Sequence, residues 1–320
     1  MFTASQKNCG AVFLSVQVEK RCYLWHIIKN GEMTIDYVVP MVFPEDSKWQ
    51  ADLDGARRFR EKATGEARYR SWGTEELLIR CIRKNLPWVR IIHVILARPS
   101  QVQPWMVGKH GVHVVYHKDI MPKEVLPTFN SRAIEMYLHN IPDLADYFLY
   151  GNDDMFPIAP MPVEDFFRDG LPCLHYREKP FNPERAFQVA CMNGLNFVAS
   201  HFDKHFDDHW LRFGHNIVPM VKATCELFWQ RWPKQMQASV TRFRLPQNYN
   251  QYIYSWHQIL SGKYIDHRAP RTYLSVDADF NDIIQAIRTA DGLLCINDNN
   301  SVNDITNLAA TIRSEIQKRL

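Results

Sequence analysis

The stretch Tyr147-Phe148-Leu149-Tyr150-Gly151-Asn152-Asp153-Asp154-Met155-Phe156 constrains the fold of this chain more than any other. Bulky, strand-forming residues end abruptly in an amide and two carboxylates, and the chain then turns apolar again. An unbroken apolar run marks a strand covered on both faces, as in a parallel sheet. The polar residues that follow then stand at the carboxyl edge of the sheet, where open α/β folds bind their ligands. Hard oxygen donors at such a rim suit Mg²⁺ or Mn²⁺, which commonly hold phosphate oxygens. The plainer reading is an Asn-Asp turn that caps the next segment.

The rest of the chain fits that frame. Ile35–Val39 is a strand stopped by Pro40. Residues 51–67 are charged and helical in character, with Gly65 at the end. Thr74 is placed to cap a helix through Lys84 whose apolar residues Leu77, Leu78, Cys81 and Ile82 share one face. Ile91–Leu96 and Val112–Tyr116 are further strands, with a loop from Pro99 to Pro104. Asn130 or Ser131 can cap a helix through His139, ended by Ile141-Pro142. Strands alternating with helices give an α/β fold with a mostly parallel central sheet and flanking helices. Beyond about residue 165 the pattern is aromatic and His-rich, with helices expected at 217–231, 249–260 and 306–318. The expected organisation is an N-terminal extension (1–34) and one catalytic domain (35–320). In that domain an α/β sheet core (35–164) is completed by a mainly helical C-terminal lobe (165–320).

The chain has 320 residues, 46% hydrophobic and 23% charged, a globular composition. A net charge of +3 gives no argument for nucleic acid. The charge is unevenly placed, however. Residues 53–90 hold ten Lys/Arg against five Asp/Glu, whereas 277–304 hold six Asp and one Arg. A basic and an acidic segment together fit an anionic substrate held beside a metal, although charge runs more often are solvated faces. Seven scattered Cys form no CxxC spacing, which argues against a zinc ribbon or disulfide framework and for a reducing compartment. No apolar run reaches membrane-spanning length. The expected location is cytoplasmic, with peripheral association at the inner membrane face left open.

Several further residues are candidates, each with a bland alternative. Asp36 opens the first strand and either approaches a nucleotide or is a strand-edge Asp. Arg68 and Arg70 precede a helix, so they suit phosphate as well as an exposed loop. His215 stands ahead of an expected helix and can serve as general base, against the ordinary standing of one His among 13. Arg244 can neutralise a transferring phosphoryl group. Cys295-Ile296-Asn297-Asp298 repeats the apolar-to-Asn-Asp pattern of residue 152. The chain has no GxGxxG, P-loop or GxSxG, which counts against a Rossmann dehydrogenase, a P-loop kinase and an α/β-hydrolase.

In order, these segments resemble the Stealth family of sugar-1-phosphate transferases. That family includes capsular polysaccharide phosphotransferases and the catalytic subunit of lysosomal GlcNAc-1-phosphotransferase. Its first region is similar to Ile35–Val39 through Asp46 and Trp49. Its second runs from Arg68-Tyr69-Arg70 and Trp72-Gly73-Thr74 through Ala133-Ile134-Glu135 to Asn152-Asp153-Asp154. Its third is similar to 215–229 with Arg242-Phe243-Arg244, and its fourth to 295–298.

The resemblance implies transfer of a sugar 1-phosphate from a UDP-sugar donor to a hydroxyl of an oligo- or polysaccharide acceptor, with release of UMP. Asn152, Asp153 and Asp154 would hold Mg²⁺ or Mn²⁺. Asp153, His215 (as base), Arg244 (on the phosphoryl oxygens) and Asp298 would be catalytic. Asp36, Arg68, Arg70, Glu135 and Asn297 would bind donor or phosphate. The chain departs from the family pattern at Phe43-Pro44, usually Asp-Gly, at Ser71, usually Asp, and at Asn140, usually Arg. Two other outcomes remain: a metal-dependent GT-A-like glycosyltransferase releasing UDP, and a non-catalytic polysaccharide-assembly relative.

Overall fold

A computed structural model describes residues 33–57, 69–298, 302 and 305–320. Contacts divide the chain into Met1–Thr34 and Ile35–Leu320, and the second unit is described here. The expected N-terminal extension, Arg68, and the part of the expected 51–67 helix beyond Arg57 lie outside the described residues.

The first half follows the apolar pattern closely. Strand β1 (Ile35–Pro40) leads to helix α1 (Ser47–Arg57) and helix α2 (Glu75–Asn85). Strands β2 (Val89–Leu96) and β3 (Val112–Tyr116), a short helix α3 (Ser131–Glu135) and β4 (Tyr147–Tyr150) follow. Tyr37, Val38 and Val39 of β1 and Phe148 and Leu149 of β4 are essentially unexposed, as strands covered on both faces must be. On α2, Leu77, Leu78, Cys81 and Ile82 are all buried, as their spacing predicts. Burial of each Leu or Ile contributes about 1.5–3 kcal/mol. Asn130 caps α3 by accepting from the Arg132 N–H. The helix stops at Glu135, and Leu138–Asn140 tightens into a 3₁₀ turn, so the helix expected through His139 is broken there.

β1 pairs in parallel with both β2 and β4, and β2 with β3. The fifth strand, β8 below, closes the β4 edge antiparallel, giving the order β8-β4-β1-β2-β3. The sheet is thus mostly parallel, and chain order reverses between β1 and β4, the switch point at which such sheets bind ligands.

The second half supplies more than helices. Strand β5 (Met155–Pro157) follows β4 directly. Strand β6 (Tyr176–Pro180), helix α4 (Ala186–Ala199) and strand β7 (His209–Phe213) come next, with β6 and β7 paired antiparallel. Then come strand β8 (Val218–Val221), helix α5 (Lys222–Arg231) and helix α6 (Tyr252–Leu260). The helix expected over 217–231 therefore begins only at Lys222. The stretch Val218-Pro219-Met220-Val221 pairs with β4 instead, and Pro219 is tolerated because β8 is an edge strand. Strand β9 (Arg271–Ser275), helix α7 (Phe280–Thr289), strand β10 (Leu293–Asn297) and helix α8 (Thr306–Arg319) finish the chain. β10 pairs in parallel with β9 and antiparallel with β5, which carries the end of β10 to the end of β4. A core of Leu195, Val198, Ile253 and Trp256 ties α4 and α6 to Phe148 and Tyr150 of β4. No helix among the described residues is long and apolar enough to cross a membrane.

Asp36 corrects its expected donor-binding role. It lies near the amino end of β1, opposite Phe148, and so away from the carboxyl rim. It is fully buried, and its oxygens accept from the Arg90 guanidinium (2.9 and 2.7 Å), the Ile91 N–H (3.2 Å) and the Ala145 N–H (2.8 Å). His93 Nε2 lies 3.0 Å from it. Burial alone would raise its pKa, but the Arg90 and His93 contacts and the Ala145 N–H hold it well below the ordinary range. A carboxylate so fully partnered is structural.

Candidate active site

The carboxyl ends of β1 and β4 open into a cavity of about 290 Å³. Pro40 ends β1 and Met41 and Val42 follow it, and Asn152, Asp153 and Asp154 follow β4. Thr74 and Glu75 at the start of α2, His215 ahead of β8, Arg244, and Asn297-Asp298 at the end of β10 complete the polar wall. Of the expected site residues, Arg70, Asn152, Asp153, Asp154, His215, Arg244, Asn297 and Asp298 all line this cavity.

Gly151 makes the turn into the carboxylates possible. A Cβ there would lie 2.1 Å from the Tyr37 hydroxyl, on a fully buried ring. Gly151→Ala should therefore cost about 1–3 kcal/mol, the usual range for overpacking, and displace the 152–154 segment. Urea unfolding together with an activity assay checks this, and unchanged stability and activity would contradict it.

Asp154 divides its two oxygens. Oδ2 meets His215 Nε2 at 3.1 Å and the Cys295 thiol at 3.5 Å. Oδ1 is buried without a protein hydrogen-bond partner among the described residues. A carboxylate can only accept, so the His215 proton sits on Nε2, which leaves Nδ1 as the basic nitrogen of the neutral ring. Burial alone would lower the His215 pKa, but the charge and hydrogen bond of Asp154, with Asp153 nearby, raise it above its ordinary value.

Asp153 is pushed up to about 7 by burial, then by the charges of Asp154 and Glu75, with His215 opposing. Of the four carboxylates lining this cavity, Asp298 is paired with Arg70, whereas Asp153, Asp154 and Glu75 meet no Arg or Lys within 4 Å among the described residues. The orphaned Asp154 oxygen and the strained ionisation of Asp153 are what a bound divalent cation relieves, so the residues fit one. Donor atoms of Asp154, His215 and Cys295 lie within 4.8 Å of one another, enough to hold a metal ion. The Cys295 thiol, raised well above its ordinary pKa by burial and Asp154, stays protonated and is the poorest of these donors.

The cations divide as well. Arg70 grips Asp298 through two hydrogen bonds (2.9 and 2.6 Å) and donates to the Val302 carbonyl, while Trp72 Nε1 also donates to Asp298 (2.9 Å). Arg70, expected on phosphate, thus directs its fork to the Asp298 carboxylate. Arg244 donates to Ser131 Oγ at 2.5 Å. Among the described residues, Arg244 meets no carboxylate within 4 Å. It is a cavity cation left available to an anion.

Glu135 corrects another expectation: it does not line the cavity. It is buried, accepting from the Tyr150 hydroxyl (3.1 Å) and the Gln251 N–H (3.0 Å), and burial raises its pKa. Glu75 was not anticipated. In sequence it is one of two acidic residues opening a helix, and nothing local tells that it is buried beside Ser71, which donates to it at 2.6 Å.

Residues 68–173 match the family described as Stealth protein CR2, conserved region 2. The receptor polysaccharide phosphotransferase WefC of Streptococcus gordonii is 30% identical over 310 residues, covering 84% of this chain and 92% of the relative. The exopolysaccharide phosphotransferase cps2G of Lactiplantibacillus plantarum is 28% identical, covering 91% of this chain and 95% of that protein. Among solved structures, the galactosyltransferase LgtC, crystallised with donor and acceptor sugar analogues, aligns with a TM-score of 0.40 at 12% identity, over 89% of this chain and 96% of that one.

Proposed function

From the premise that this chain belongs to the Stealth family, we propose that it is a polysaccharide phosphotransferase which moves a sugar 1-phosphate from a UDP-sugar to a hydroxyl of a growing surface polysaccharide. The observation that carries this reading is the single cavity at the β1/β4 switch point. There Asp153-Asp154, His215, Arg244 and Asn297-Asp298 meet, although up to 145 residues separate their segments. Phosphoryl transfer asks a protein mainly for positioning and charge neutralisation, and these residue types supply both.

The acceptor oxygen attacks the phosphorus that bears the sugar. The bond from that phosphorus to the UMP oxygen breaks, a phosphodiester forms, and UMP leaves. His215 Nδ1 takes the acceptor proton, and Asp154 fixes the ring through Nε2. Arg244 faces the equatorial phosphoryl oxygens. Asp298, held by Arg70 and Trp72, keeps the acidic wall rigid. Asn152, Asp153 and Asp154 would hold Mg²⁺ or Mn²⁺, which when bound supplies positive charge against the diphosphate. Five described cysteines, all buried and free, support a reducing, cytoplasmic setting.

Mass spectrometry of the nucleotide formed from a panel of UDP-sugars, with oligosaccharide acceptor and Mg²⁺ or Mn²⁺, tests the reading. UMP is the expected product. UDP would overturn it in favour of glycosyl transfer, and donor binding without turnover would favour a non-catalytic relative.

A further inference from the structure

Resting on the phosphotransfer reading for its choice of substrate, we propose that Arg177, Arg212, Arg268 and Arg271, with Tyr273, form an acceptor subsite that binds a glycan already carrying a phosphate group. Arg177 on β6 and Arg212 on β7 are direct cross-strand partners, and both are exposed on the same face of the hairpin. Like charges directly opposite one another destabilise a strand pair. Arg271 on β9 is half-buried, its guanidinium packed onto Gly214, where a Cβ would lie 1.2 Å from Nη1. Gly214 and Asn216, on either side of His215, line a small second cavity together with Arg268 and Arg271. Arg271 feels the charges of Arg268, Arg177 and Arg212, so three separate segments bring four cations together beside the His215 loop.

The protein does not neutralise this cluster. Among the described residues, none of the four guanidinium groups donates a hydrogen bond or meets a carboxylate within 4 Å. Unrelieved repulsion of this kind is what an anionic ligand removes. Guanidinium forks bind phosphate oxygens in pairs, and several converging forks match a group with several acceptor oxygens better than a lone carboxylate. Tyr273, two residues after Arg271, links the cluster to the active site. It is 49% exposed, stands perpendicular to His215 with ring centroids 6.3 Å apart, and feels both Arg212 and Asp154. An open aromatic face there suits the apolar face of a sugar. The ring next to His215 would seat the residue whose hydroxyl reacts, and the arginines would hold a phosphate farther along the same glycan. A glycan that has been through one round of the proposed transfer carries a phosphodiester, whose two non-bridging oxygens and negative charge the same forks can accept.

The test is calorimetric titration of the full chain with three probes, without donor: a hexose trisaccharide bearing a 6-phosphate, its neutral parent, and inorganic phosphate. The wild-type protein should bind the phosphorylated trisaccharide about 10-fold more tightly than the parent, the scale of one or two charge-assisted contacts. Arg177→Ala/Arg212→Ala should lose that preference and unfold at the same temperature or higher, because it removes two opposed like charges. Arg268→Ala serves if the double variant fails to fold. Equal affinity for the two trisaccharides, an undiminished preference in the variants, or displacement of the phosphorylated glycan by an equal concentration of inorganic phosphate would each overturn the proposal. Binding is read without turnover. Equal affinities would leave UMP release untouched, and failure to release UMP would leave the binding preference standing.

Discussion

His215→Ala should slow the chemical step by about 10²–10⁴-fold, the usual contribution of a positioned acid–base group. Donor binding should survive, because in the proposed mechanism His215 handles the acceptor proton and not the diphosphate. Asp154→Asn should cost a similar factor for a different reason. The carboxylate accepts from Nε2 and so selects the tautomer with a basic Nδ1. An amide NH₂ turned toward Nε2 would donate instead, leaving the proton on Nδ1 and the base in the wrong tautomer. A comparable change in serine proteases costs about 10⁴-fold. Single-turnover rates with a competent donor and acceptor, beside calorimetric donor affinity, separate the two effects. Near-normal turnover in either variant would remove His215 from the role of base.

The second large effect falls on stability. Asp36→Ala removes the buried carboxylate that satisfies Arg90, His93 and two backbone N–H groups at the foot of β1. Breaking a buried pair from one side typically costs about 3–5 kcal/mol. The pH dependence follows from the lowered pKa of Asp36 in the folded state, against about 3.9 in the unfolded chain. A depressed carboxylate stabilises fully above the unfolded value, and the contribution fades as pH falls toward the folded one. The gap between wild type and variant in urea unfolding should be widest at neutral pH and narrow below about pH 4. A gap independent of pH over that range would show that the Asp36 charge is not the source. Activity per folded molecule should persist, since Asp36 does not face the cavity.

What the sequence revealed tracks how local each signal is. β1, β2 and β4 were legible as largely apolar runs buried on both faces, β3 as a short β-branched run at the sheet edge, and α2 by its one apolar face. The strand β8 was hidden because Val-Pro-Met-Val leads straight into a helix, and only its pairing with β4 makes it a strand. Asn152-Asp153-Asp154 stood out because three polar residues interrupt an apolar run. Asp36 misled for the opposite reason. A strand carboxylate looks the same whether it faces a nucleotide or Arg90, and its partners stand 54 and 57 residues away. Glu75 and the arginine cluster depend on contacts between distant segments and left no local trace.

The Arg70–Asp298 pair joins residues 228 apart. The cavity wall is therefore complete only once the segment after β10 is present, because Asp298, which directly follows β10, lies far along the chain from Asp153 and His215. A chain cut before β10 would keep Asp153, Asp154 and His215 but lack the Asp298 wall of the cavity.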